Sequence, residues 1–455
     1  MSSPSWEEWQ HDLFARVSGL RAAELDEATR RRAALIMVDD LAAMVLAAHE
    51  PEIQRLNAAA QRIAPLSEAS VIGGGRSGRS WAALTNATAA CWNELDGGFR
   101  PATCHGGLYS LPAGMAEVEA NGGTVGQVMR ALVGGYEVST SFARAVPFPS
   151  PLQWHPHATL APTGAAAAVA VARGGSAEDV ASASFAAVTL AAAGPFSHAT
   201  SGLLIRNGWA GHGALSGFTA VELAAAGVRA DAGSPLEVLQ SGFGNEISVD
   251  ALQSGTGDWA VHDGYHKLYA CCQYMHSAVE ASRDLATGPL ADVATDQIAR
   301  IAVETHPLAL PLTETEPTTA LGAKFSMPHT VASVLVNRHT RAETFGAGQL
   351  ENPEIAALRP LVEVTRYPGE LAPPLDRPAR ITVTLHSGES FTAECLSAIG
   401  GPDRPLSESD VIDKIDRLTS STAPRFAAVA EQLVAGRIAT DEAWSDVLGE
   451  LWASA

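Results

Sequence analysis

The feature that most constrains this chain is a succession of helical-period stretches built from very small residues, clearest at Gly164-Ala165-Ala166-Ala167-Ala168. Side chains this small leave little bulk between helix axes, so such runs suit helices that approach closely. Apolar residues recur at helical spacing over Ala22 to Ala48, Thr124 to Ala145, Thr163 to Arg173, Ala210 to Ala226 and Met275 to Ala286. Gly174-Gly175 breaks the chain between two of them, and Ser176 with Asp179 has the spacing of a capping box that opens the next helix. No convincing strand alternation interrupts this half, and Gly73-Gly74-Gly75 reads as a turn.

The pattern changes after Pro289. Gln297 to His306 is compatible with a strand, and Pro360 to Tyr367 alternates. Ala379 to Leu385 places Ile381, Val383 and Leu385 on one side, and Ser387-Gly388 turns the chain into Ser390 to Cys395, a β-hairpin. Helical patterning returns from Ser407, through Ala423 to Val434, to Thr440 to Trp452. The expected fold is mainly α: a large all-helical domain plus a smaller α/β domain near residues 270–400.

A length of 455 residues exceeds one ordinary core, so two domains are expected. Charged residues are only 18% of the chain, little for a monomer that must solvate its whole surface, so a homo-oligomer is expected. A net charge of −20 argues against nucleic acid and anionic membranes as partners. The longest apolar run, Gly164 to Ala172, is too short to cross a bilayer. The acidic stretch Met1 to Trp9 has no apolar run, so no signal peptide is expected. Five cysteines, an odd number in a long chain, suggest no disulfide framework and a reducing, cytoplasmic location.

Candidate chemistry concentrates in five segments. Trp92 to Gly107 holds Glu94, Asp96, Arg100, Cys104 and His105 between glycines and a proline, which place these groups on a loop. Trp154 to Thr159 carries His155 and His157 around Pro156, as surface histidines or as titrating groups. Ile205 to Ala214 sets Arg206 in a glycine-rich helix start, suited either to an anion or to close helix packing. Tyr265 to His276 sets Lys267 between tyrosines, where it could hold a carboxylate, exchange a proton or simply be exposed. Lys324 to Thr330 is a further polar break before an apolar helix. His155 and His157 lie two apart and Cys271 and Cys272 are adjacent, so neither pair has zinc-site spacing and no metal is expected. No phosphate-binding glycine motif follows a strand, so nucleotide binding has no support.

These segments, in this order, resemble the MmgE/PrpD family, which includes 2-methylcitrate dehydratases, cis-aconitate decarboxylases and iminodisuccinate epimerases. The resemblance runs from Asp39 to Ala332 through Ser70 to Gly75, Asn86 to His105, Gly134 to Val138, Trp154-His155-Pro156, Gly164 to Ala168, Ala210 to Gly227, Lys267 to His276 and Phe325 to Ala332. It implies a helical domain over residues 1–268, completed by 405–455, and a smaller α/β lid over 269–404, with the pocket between them and the chain as a homodimer. It also implies chemistry without metal or organic cofactor on a small di- or tricarboxylate, by a lyase (dehydratase or decarboxylase), or else by an epimerase. A binding protein without turnover would keep the same pocket.

Carried over by position, the match is uneven. The family's acidic loop commonly reads D-F-D-D-T and ends in a histidine. Glu94-Leu95-Asp96-Gly97-Gly98 keeps two acids and loses the third and the threonine, and His105 fills the terminal position with one residue inserted. His155 matches the family's H-P histidine, Arg206 stands where lysine is common, Lys267 matches its lysine, and His329 falls at a tyrosine position. Lys267, His155, His105 and Asp96 are thus expected to be catalytic, with Lys267 and His155 transferring protons and Asp96 orienting His105 or Arg100. Arg206, Arg100, Glu94, His276 and His329 are the implied substrate contacts. The lost groups, centred on Gly97 and Gly98, argue against 2-methylcitrate itself as the substrate.

Overall fold

The computed structural model describes residues 4–20, 25–253 and 257–452. The first four residues of the expected helix from Ala22 therefore fall partly outside the described residues; the helix itself runs Glu27–Ala47, capped by the Asp26 side chain on the Thr29 amide.

The small-residue runs do what their composition suggests. Helix Ala161–Ala172 is buried along almost its whole length and packs against Val125–Ala145, Gly106–Ala120 and Ile205–Ala225. A Cβ at Gly135 would lie 2.5 Å from the Gly164 carbonyl oxygen, and one at Gly217 would lie 2.5 Å from Ala165 Cβ. Two helix crossings are thus set by the absence of a side chain. Ser176 caps Ala177–Thr189 with the expected reciprocal box, its amide donating to Asp179 Oδ2 at 2.8 Å.

The strands after Pro289 form a four-stranded sheet in the order Val362–Arg366, Ile298–Thr305, Ala379–Leu385, Ser390–Cys395. The first pair is parallel and the others antiparallel, with Ile301 opposite Val383 and Val303 opposite Ile381. Ile381, Val383 and Leu385 are buried on one face, and helices His276–Thr287 and Met327–Asn337 pack on the sheet. The chain then returns to the helical part. Glu408–Thr419 and Phe426–Val434 pack on Glu27–Ala47, and Trp444–Trp452 packs on Gly106–Ala120 and Val125–Ala145. No described helix is long and apolar enough to cross a membrane.

Two features differ from the expectation of a strand-free first half. Ala69–Val71 and Gly75–Ser77 form a hairpin around the Gly73-Gly74 turn. Gly98–Phe99 pairs with Gly264–Tyr265. Strands of two or three residues are too short to show a period. The second pair matters most, because it draws the acidic loop onto the segment that carries Lys267.

Candidate active site

Five of the expected groups, Glu94, His105, His155, Arg206 and Lys267, line one cavity between the helical part and the sheet region, and Asp96 lies behind them. The acidic loop leaves helix Arg79–Ala90, and Glu94 adopts the left-handed region at φ 55°. That conformation is costly for a side chain other than glycine and is held here by the surrounding contacts. It turns the buried Glu94 carboxylate onto two cations: Lys267 Nζ lies 3.1 Å from Oε2, and Arg206 Nη1 contacts Oε1. Asp96, fully buried, lies 3.6 Å from Lys267 Nζ through Oδ1. Its Oδ2 lies 2.7 Å from His105 Nδ1, which is also 3.1 Å from the Gly97 carbonyl oxygen. An Nδ1 placed between two acceptors keeps its proton. Nε2 has no hydrogen bond among the described residues, and the ring lines the cavity.

The protonation states follow from the charges. Burial disfavours the Lys267 ammonium, but Asp96 and Glu94 outweigh burial and raise its pKa. Burial likewise disfavours the Asp96 carboxylate, and Lys267 and His105 overcome it to lower the pKa. His155 caps the short helix Pro156–Thr159 and accepts from the His157 amide at 3.2 Å. Arg206 Nε points at its other nitrogen at 3.1 Å. Burial first, then Arg206, pushes the pKa of His155 well below its ordinary value and keeps the ring neutral.

Arg206 is not in a glycine loop. Helix Ile205–Ala225 already begins at the preceding residue, and Gly211, Gly213 and Gly217 pack against Leu84, Ala161 and Ala165. Close packing, rather than anion binding by free amides, explains those glycines. Gly97 and Gly98 have a similar cause: a Cβ at Gly97 would lie 2.7 Å from the Tyr265 carbonyl oxygen, and one at Gly98 would enter the Tyr265 ring. Their lack of side chains is required by the strand pairing that brings the loop to Lys267, so it is not by itself a mark of the substrate.

Three expected contacts lie elsewhere. Arg100 pairs with Asp376, Nη2 to Oδ1 at 2.5 Å, and also donates to the Pro374 carbonyl at 3.0 Å. It does not line the cavity, and Asp96 meets His105 rather than Arg100. His276 Nε2 meets the Cys271 carbonyl oxygen at 3.2 Å, behind the cavity wall. His329 is buried in helix Met327–Asn337 with neither ring nitrogen hydrogen-bonded, and it too is absent from the lining. Conversely, Arg377 lines the cavity without having been expected there, as do Thr103, Gln273 and Tyr274 from segments read for other residues. Arg377 sits in a loop before a strand, a position with no local pattern to single it out.

Asp96, His105 and His157 offer ligand atoms within 4.8 Å of one another, the one such group among the described residues. The donor set does not suit a divalent cation. The Lys267 ammonium already faces Asp96, and the His105 nitrogen nearest Asp96 carries the proton shared with Gly97. His157 Nδ1 is 2.9 Å from the Tyr109 hydroxyl. The five cysteines are free and buried, and burial pushes the thiol of Cys272, on the cavity wall, up to about 12. It is no nucleophile near neutral pH.

A family model described as the MmgE/PrpD N-terminal domain matches residues 11–251, and one described as the MmgE/PrpD C-terminal domain matches residues 269–437. No curated protein matches the chain.

Proposed function

This chain belongs to the MmgE/PrpD family, whose members are generally enzymes, and from that premise we propose that it is a cofactor-independent lyase acting on a small di- or tricarboxylate. Family membership suggests dehydratase-type or related activity. The observation that carries the reading is the Asp96–His105 pair, whose free Nε2 opens onto a cavity also lined by Lys267 and Arg206.

In this reading His105 is the general base and Asp96 holds its tautomer. Nε2 removes a proton from the carbon next to a substrate carboxylate. Lys267 and Arg206 stabilise the negative charge that develops on that carboxylate in the enolate-like transition state. In a dehydration the C–O bond then breaks and the Lys267 ammonium protonates the departing hydroxide. In a decarboxylation no proton is removed first: the C–C bond to one carboxylate breaks, CO2 leaves without the electrons of that bond, and the carbon that keeps them takes a proton from the Lys267 ammonium. His155, kept neutral, orients Arg206. The low fraction of charged residues supports a homo-oligomer as the working unit, and the family likeness a homodimer.

Incubation with cis-aconitate, 2-methylcitrate and related di- and tricarboxylates tests the proposal, read by CO2 release and by new alkene absorbance. Turnover of at least one acid is expected, and silence on all of them would overturn the lyase reading. Solvent deuterium entering the substrate without any change of skeleton would assign the same pocket to an epimerase.

A further inference from the structure

The cations that line the cavity are unequally matched. Arg206 and Lys267 already have partners: Glu94 contacts both, and Asp96 lies 3.6 Å from Lys267. The third, Arg377, stands two residues before strand Ala379–Leu385. Its backbone is fixed by the Ser277 hydroxyl, which donates to the Arg377 carbonyl oxygen at 2.6 Å. Its guanidinium is buried, with 9% of the side chain exposed.

Little neutralises that guanidinium. Nη1 donates to the uncharged Gln273 Oε1, and the face lies over the Tyr274 ring at 5.3 Å. The neighbouring carboxylate, Asp376, is 3.9 Å from Nε, beyond hydrogen-bond reach, and Nε has no acceptor. Asp376 is instead taken up by Arg100 through two contacts, at 2.5 and 3.3 Å. Burial and the charge of Arg100 both work against the charged form of Arg377. A buried cation so placed gains from an anion delivered to it, because its desolvation has otherwise no return.

We infer that Arg377 is the seat of one substrate carboxylate, and that the substrate is a dicarboxylate rather than a tricarboxylate. Its second carboxylate lies against Arg206 and Lys267, beside the carbon that reacts. Arg206, Lys267 and Arg377 are the Arg and Lys side chains that line this cavity, and Glu94 already shares the first two, so a third substrate carboxylate finds no cation of its own. Arg100, which could have supplied one, is spent on Asp376. The inference rests on the reading of this cavity as the substrate pocket of a lyase, and it narrows the class of acid that pocket takes.

Calorimetric titration of the full chain decides it, with mesaconate and maleate as dicarboxylates and cis-aconitate and 2-methylcitrate as tricarboxylates. The dicarboxylates are expected to bind at least about tenfold more tightly. Arg377→Met should weaken them about 100-fold and Arg377→Lys about tenfold, since lysine keeps the charge and loses the planar fork. Unliganded Arg377→Met should melt no lower than the native chain, which separates an anchor from a structural residue. Should the methionine variant fail to fold, Arg377→Lys carries the test. Arg377 variants that bind like the native chain, tricarboxylates that bind as tightly as dicarboxylates, or no binding by any of the four acids would each overturn the inference. Arg377-dependent binding without turnover would instead sink the lyase reading and leave the anchor standing. Turnover indifferent to Arg377 would do the reverse.

Discussion

Two buried clusters of nearly the same composition lie on either side of the acidic loop. Facing the cavity, Asp96 holds His105 Nδ1 at 2.7 Å and Lys267 Nζ at 3.6 Å, with Arg206 alongside. Beneath the loop, Asp39 holds His266 Nδ1 at 2.8 Å and Lys414 Nζ at 2.6 Å, with Arg32 alongside. Aspartate, histidine, lysine and arginine thus occur twice, and in both sets the aspartate and histidine are in close contact. The second nitrogen of each histidine separates them. His266 Nε2 is occupied by Arg32 Nη1 at 2.9 Å, whereas His105 Nε2 faces the cavity unpartnered.

The remaining donors of the lower cluster close on backbone. Lys414 donates to the Leu95 carbonyl at 3.3 Å, and Arg32 donates to those of Val261 and Gly264 at 2.9 and 2.6 Å. Asp40 accepts from the Gly97 amide at 3.3 Å, and burial together with Asp39 and Asp96 raises its pKa well above the ordinary carboxylate range, so it stays protonated. This cluster is a floor that fixes the loop carrying Glu94 and Asp96. An Asp–His contact is chemical equipment only where one imidazole nitrogen is left for a substrate.

The largest effect that can break this comparison comes from exchanging the two histidines' fates. His105→Gln should lower kcat/KM by about 1,000-fold, the range for removing a general base, at nearly unchanged melting temperature. His266→Gln should do the opposite, costing about 1–3 kcal/mol in chemical denaturation because Asp39 and Arg32 lose a buried partner, while folded molecules keep their kcat. Equal losses of activity in both variants would show that the two clusters do not divide the labour in this way.

A smaller effect separates buried histidines held neutral from those that can titrate. Burial lowers the pKa of His276 from 6.5 to about 3, and those of His306 and His329 to about 4. The unfolded chain therefore takes up these protons first as pH falls. Stability should be intact above pH 6.5 and should decline from there to about pH 4, by about 1.4 kcal/mol per histidine per pH unit at most. Urea denaturation across that range measures the slope. His329→Leu should flatten it, since neither His329 nitrogen has a hydrogen-bond partner to lose. An unchanged slope in that variant would remove His329 from the account.

The smallest effect belongs to Arg100. Its pairing with Asp376 is mostly buried, with side chains 12% and 26% accessible, but Arg377 lies 3.9 Å from the same carboxylate and can replace Arg100 there, so Arg100→Met should cost about 1 kcal/mol. KM for any acid turned over should rise by no more than about tenfold, because Arg100 does not touch the cavity and acts there only by keeping Asp376 off Arg377. A large rise in KM would return Arg100 to the substrate.

Much of the fold was legible because period and punctuation are local. Ala379–Leu385 and Ser390–Cys395 fall where alternation and the Ser387-Gly388 turn put them, and Ser176 caps its helix through contacts three residues long. Glu94, Asp96, His105, His155, Arg206 and Lys267 could be singled out because each stands in a segment that glycine or proline keeps from being an ordinary helix, or matches a family motif. The pairing of Gly98–Phe99 with Gly264–Tyr265 could not, since two residues carry no period.

By itself, then, the sequence determined the helical class, the sheet near the C-terminal end and the set of residues able to do acid–base chemistry. Only the tertiary structure decided which of them do. Glu94 and Lys267 meet across 173 residues of chain, Arg100 is drawn to an aspartate 276 residues away, and Arg377 reaches the cavity from a loop with no pattern of its own. Periodicity reports the few residues on either side of a position. Whether an imidazole nitrogen or a guanidinium is left open to a ligand depends on groups that packing brings from far along the chain, and that information exists only once the chain has folded.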